Sequence, residues 1–194
     1  RRAWEFTSLS NERDRPSLAL PKAQSVVDIL STFGWRDARQ DALTVRDHEP
    51  NALQPAIMAN GIVGRRITQL SDDSAFTELA LQSIDTHEIV KRVFLRILSR
   101  PPTSKERAMM HEQIFQTFAF RVVKGAKPRA DREQVLDVSW NNHLSSDSNR
   151  IKVELERLAR EGDPPTNRLR VEWRKQMEDV IYSLINSPEF IYIP

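Results

Sequence analysis

The chain has 194 residues, 39% hydrophobic and 29% charged, enough for one helical core with polar segments outside it. Lys plus Arg number 29 and Asp plus Glu 27, so the net charge is +2, too small to give a strong field for nucleic acid or a membrane surface. There is no cysteine, which excludes disulfides, thiolate metal sites, a thiol nucleophile and CxxCH haem attachment within this segment.

No apolar run approaches the length of a membrane helix. The chain opens on Arg1-Arg2 without methionine and is expected to be an excerpt of a longer protein. Residues 1–22 carry alternating charges at Glu12, Arg13, Asp14 and Arg15, followed by two prolines. They are expected to form an extended arm, anchored by Trp4, Phe6 and Leu9. The first helix is "AQSVVDILSTFG", with Val26, Val27, Ile29, Leu30 and Phe33 at helical spacing and Gly34 as its stop. The loop "WRDARQDALTVRD" follows. In "NALQPAIMANG", Asn51 and Gln54 have the spacing of a capping box, Pro55 falls near the first turn, and Asn60-Gly61 ends the helix.

"IVGRRITQLSD" and "SAFTELALQSI" predict two short helices. A helical hairpin comes next. Asp85 and Glu88 cap its first arm, and Ile89, Val90, Val93, Phe94, Ile97 and Leu98 form a buried stripe. Pro101-Pro102 breaks the hairpin, and Thr103 with Glu106 makes a capping box for a second arm running through Met109, Met110, Ile114, Phe115 and Phe118 to Gly125. Residues 126–148 turn polar, with Val135, Leu136, Val138 and Trp140 as apolar islands. "NRIKVELERLAREG" is amphipathic, with Ile151, Leu155 and Leu158 inward. The last helix places Leu169, Trp173, Met177, Ile181, Leu184 and Ile185 on one face, and Ser187-Pro188 stops it. No period-two alternation appears. The expected fold is therefore all-α, an irregular multi-helix domain spanning 1–194. It has an N-terminal extended arm (1–22) and a polar insertion with peripheral helices (126–166) late in the chain.

The four histidines are His48, His87, His111 and His143. A zincin helix needs a second histidine four residues after an HE pair, and Lys91 and Phe115 stand at those places, so no metal site is expected. His87 and His111 read as exposed helix residues. No phosphate-cradling or nucleophile-elbow motif occurs, and no catalytic residues are assigned. The best polar constellation is Arg36, Arg39, Arg46, His48 and Glu49. Arginine forks could take carboxylate or phosphate, and His beside Glu could act as acid and base. Asp37, Asp41, Asp47 and Glu49 can neutralise those arginines instead, and the favoured reading is an ion-paired loop pinning the first helix to the second. Trp35 or Trp140 could serve as a sugar-stacking platform. Arg65-Arg66 and Arg168, Arg170 and Arg174 read as solvated helix faces.

The order of Phe33, Gly34 and Arg39, then Gln54, Asn60 and Gly61, then Leu98, Arg100, Pro102, Thr103 and Glu106, then Asn186, Ser187, Glu189 and Phe190 carries a resemblance. It resembles the C-terminal domain of planctomycete cytochrome-c-associated proteins, a domain of unknown function (number 1553), also called the planctomycete surface-associated domain. The resemblance covers nearly all of the chain after about residue 10. It implies an exported, extracytoplasmic protein, periplasmic or on the cell surface, with haem in a neighbouring domain and no cofactor in this segment. It brings no catalytic residues. The function expected on these grounds is a non-catalytic helical interaction module. Its partners would be neighbouring domains of the same chain, or a protein or polysaccharide, with no nucleic acid and no transmembrane segment. The rival is part of a polysaccharide-active hydrolase or lyase, or a carbohydrate-binding module. The stretch 126–166 exceeds the compact link the family implies between hairpin and last helix.

Overall fold

A computed structural model describes residues 24–34, 51–129, 138, 142 and 144–191. The expected arm with Trp4, Phe6 and Leu9 lies outside the described residues. What is described is all-α, as the periodicity predicts. Among those residues the only extended pairing is two isolated bridges, Ser71 with Pro165 and Val122 with Leu169. The chain divides into two compact units, each built from two stretches: residues 1–57 with 132–162, and residues 58–131 with 163–194.

In the first unit, α1 (Gln24–Thr32) packs on α7 (Ser148–Glu161). Ile151, Leu155, Leu158 and Ala159 of α7 join Val26 and Val138 in a small core, with Leu30 against it. The polar stretch after residue 126 thus delivers one amphipathic helix whose apolar face covers α1. Gly162 follows α7 at φ 72, a left-handed position where a side chain would be strained. Between α1 and α7 in sequence, α2 (Leu53–Ala59) begins in this unit and carries Pro55 in its first turn, where a missing N–H leaves no helix bond unmade.

The second unit holds the main core. Its elements are α3 (Ile62–Thr68), α4 (Ala75–Leu81), α5 (Thr86–Leu98), α6 (Ser104–Phe115), a 3-10 turn (Phe118–Phe120), α8 (Val171–Ile185) and α9 (Pro188–Ile191). Ile89, Val90, Val93 and Phe94 of α5 meet Met110 and Ile114 of α6, and Trp173, Met177, Val180, Ile181, Leu184 and Ile185 of α8. All are nearly or fully inaccessible to water. The Trp173 indole N–H donates to the Ile114 carbonyl at 3.1 Å, so the largest core side chain leaves no polar atom unmet.

Helix starts follow the sequence closely. Asp85 accepts from the Glu88 N–H, and Thr103 with Glu106 forms the reciprocal capping box. Ser74 caps α4 by accepting from Phe76. Helix ends depart more. The second hairpin arm stops at Phe115 rather than running to Gly125; Met110 and Ile114 face the core, and Met109 and Phe115 are exposed. The last helix begins at Val171, so Leu169 is buried from an extended segment paired with Val122. After the stop at Ser187, residues Pro188–Ile191 form the short helix α9.

Arg121 explains how α4 and the 3-10 turn end. This buried guanidinium donates to the carbonyls of Ala80 (2.8 Å), Gln82 (2.7 Å) and Phe118 (3.1 Å). It also lies 3.8 Å from the centroid of the Phe118 ring. Carbonyls orphaned at a helix C-terminus are the negative end of the helix dipole, and a cation fits there.

Candidate functional site

Arg36, Arg39, Arg46, His48 and Glu49 all lie outside the described residues, as do Trp35, Trp140 and His143. Among the polar residues that are described, four groups stand out.

Arg100 follows Ser99, which ends α5 in a left-handed conformation at φ 56. That turn aims the guanidinium at two carboxylates. Nη1 and Nη2 donate to Glu106 at 3.0 and 2.8 Å, and Nε and Nη2 donate to Glu189 at 2.6 and 2.6 Å. Both contacts are two-pronged, the geometry for which the planar fork is suited. Glu106 also accepts from the Thr103 N–H at 2.7 Å, so one carboxylate caps α6 and holds Arg100 together. Arg100, then the Thr103 backbone, pull the Glu106 carboxyl down to about 2. Arg100 holds Glu189 below its ordinary value as well. The junction thus joins the start of α6 to α9.

Gln54 makes the second joint. Its side-chain amide donates to the Thr32 carbonyl at 3.0 Å, at the end of α1 and next to Phe33-Gly34. The expected reciprocal capping box with Asn51 is not formed. Asn51 instead accepts from the Leu53 N–H at 2.9 Å, a local turn, while Gln54 satisfies an orphaned carbonyl of another helix.

The third group corrects the reading of Arg168 and Arg174 as solvated. Their side chains are only 13% and 12% exposed. Arg168 donates to Asp72 (2.9 Å) and Glu78 (2.9 Å), and Arg174 donates to the Thr166 carbonyl at 2.7 Å. Asp72 also accepts from the Thr166 hydroxyl and the Arg129 N–H. Burial pushes the Asp72 carboxyl up, but the Arg129 N–H, the Thr166 hydroxyl and Arg168 outweigh it and hold the group below its ordinary value. Glu178 accepts from the Leu70 N–H at 2.9 Å, and its burial raises its carboxyl. These bonds pin the segment before α8 to the loop before α4. The alternation of Arg with acids in the sequence looked like a solvated face because the partners are distant in sequence, at Asp72 and Glu78.

The fourth group is His87 with His111. His87 is exposed, as expected, while His111 is half-buried and stacks face to face on it, a contact that no sequence spacing signals because it crosses between α5 and α6. Among the described residues, no group of three or more His, Asp or Glu is disposed to hold a metal ion, and no helix is long and apolar enough to cross a membrane.

Chemically, the first three arrangements hold helices together. Their carboxylates are engaged by guanidinium, backbone N–H and threonine hydroxyl groups. Comparison with known proteins gives one family. The model described as "PSD1: Protein of unknown function (DUF1553)" matches residues 2–114. No curated protein matches, and no solved structure does. The match bears out the resemblance but reaches less far than the residue order implied, ending inside α6.

Proposed function

This chain belongs to the PSD1 family of proteins of unknown function (DUF1553), and on that premise we propose that it is a non-catalytic helical interaction module within an exported, multidomain, cytochrome-c-linked protein. One observation carries the reading: several of the described residues that carry the resemblance sit at helix joints and helix ends. Gln54 ties α2 to the end of α1, and Arg100 ties Glu106 to Glu189. Gly61 sits at φ 84 between α2 and α3, and Thr103 caps α6. A signature of this kind specifies a shape. Shape is what a docking module must offer its neighbours, whereas a hydrolase signature would centre on paired acids or an activated nucleophile. Extracytoplasmic placement and a haem-bearing neighbour belong to the same reading and rest on the family resemblance.

The test is thermal shift of the wild-type chain and of an Arg46→Ala, His48→Ala double variant, against a panel of glycans and inorganic phosphate. Ligand that binds only the folded state raises the melting temperature. No glycan- or phosphate-dependent rise is expected in either protein. A rise in the wild type that the double variant loses would replace the module with the polysaccharide-active reading.

A further inference from the structure

The His87–His111 stack has no part in the module reading and stands on its own geometry. Asp85 caps α5, so Thr86 and His87 occupy its first turn, while His111 stands late in α6, one turn before Phe115. The two imidazole rings lie with centroids 4.0 Å apart and planes 9° from parallel. His111 leans on Phe115 at 4.7 Å between centroids. Its Nδ1 is 2.6 Å from the hydroxyl oxygen of Thr86, a residue only 3% exposed. The contact therefore fastens the first turn of α5 to the far half of α6.

The hydroxyl of Thr86 donates to a bare Nδ1 and accepts from a protonated one, so the bond survives one proton on His111. Two protons are different. Two cations at stacking distance repel. Charged groups lie near the pair on both helices. From α5, Asp85 acts on His111 and is itself engaged by the Glu88 N–H, while Glu88 pairs with Lys91 and Arg92 one turn further on. From α6, Arg107 and Glu112 flank His111 in sequence. Burial first, and His87 second, lower the His111 imidazole from its ordinary value, and Asp85 opposes them.

We propose that His87 and His111 form a proton-gated clasp, holding the first turn of α5 against α6 while the pair carries at most one proton and letting go when both rings are charged. Release frees the Phe115 ring and uncovers Thr86, changing this surface with acidity alone.

The experiment follows the imidazole ring signals of the full chain by NMR from about pH 8 to about pH 4, the range in which histidine titrates. In His87→Gln, the His111 midpoint should rise by roughly half a unit or more, about threefold in proton affinity. In the wild type, the Thr86 amide and Phe115 ring signals should move with the second protonation, and amide exchange in the first turn of α5 should speed up there. His87 is exposed, so its replacement leaves the core intact. His111→Gln should abolish the acid step at Thr86 and Phe115. An unchanged His111 midpoint in His87→Gln overturns the proposal. So does an acid step that persists in His111→Gln, or Thr86 and Phe115 signals that stay still while both rings titrate.

Discussion

At Gly64 a Cβ built on the backbone would stand 2.9 Å from the Met58 carbonyl oxygen, closer than real Cβ contacts allow. The neighbour is backbone at the end of α2 and cannot swing aside, so the corner between α2 and α3 closes only around a glycine. Gly61, three residues earlier, is glycine for another reason: it has open space within 4 Å but sits at φ 84. Gly64→Ala should cost about 1–3 kcal/mol through overpacking. Gly61→Ala should cost about 1–3 kcal/mol, because φ 84 with ψ −143 is a region open essentially to glycine alone. Urea unfolding distinguishes the causes. The loss at position 61 should be about the same for Ala and Asn, since the space is open and only the backbone is strained, while the loss at position 64 should grow with side-chain size. A Gly64→Ala midpoint equal to wild type would show that the corner gives way freely.

Between elements, the Arg100 junction makes the start of α6 and α9 respond to acid together. The sign follows from Glu106. Its carboxyl is drawn from 4.5 down to about 2 on folding, so its contribution is fully present above pH 4.5 and fades as pH falls towards 2. Glu189, held low by the same guanidinium, moves the same way. Denaturant midpoints measured across that window should drop more steeply for the wild type than for Glu106→Gln, whose amide cannot titrate. Arg100→Lys should lose much of the effect at neutral pH, since a single ammonium cannot make two forked contacts. Equal pH slopes in wild type and Glu106→Gln would place the acid sensitivity elsewhere. This junction also marks the limit of what the residues reveal unaided. The capping half, Thr103 with Glu106, spans three positions and was legible in the spacing. The other half links residues 89 apart and was not, although Arg100 and Glu189 both belong to the residue order that carries the resemblance. Gln54 shows the same limit, because a local partner at Asn51 looked sufficient while the Thr32 carbonyl made the bond. Buried stripes at helical period were readable for α5, α7 and α8. The exposure of Met109 and Phe115 was not, because an apolar residue at the right spacing does not say where its helix ends.

Across the whole chain, the family match and the folded unit end in different places. The match stops at residue 114, inside α6, yet the core that α5 and α6 line is completed by α8, more than fifty residues on. Met177, Val180, Ile181, Leu184 and Ile185 are all at most 4% exposed. Burying such side chains contributes about 1.5–3 kcal/mol each, roughly 8–15 kcal/mol for the five. That equals the entire net stability of an ordinary domain, about 5–15 kcal/mol. α1 meets the same difficulty, since the apolar face that covers it comes from α7, also beyond the match. A chain ended after Ile114 should therefore keep some helical signal in circular dichroism but show no cooperative urea transition, and it should bind a hydrophobic dye that the full chain excludes. Trp173→Ala in the full chain is the milder version, costing about 3–5 kcal/mol while preserving a single transition. A sharp, reversible transition from the 1–114 chain would mean that the family-matched segment folds alone and that α7 and α8 only add to a finished core.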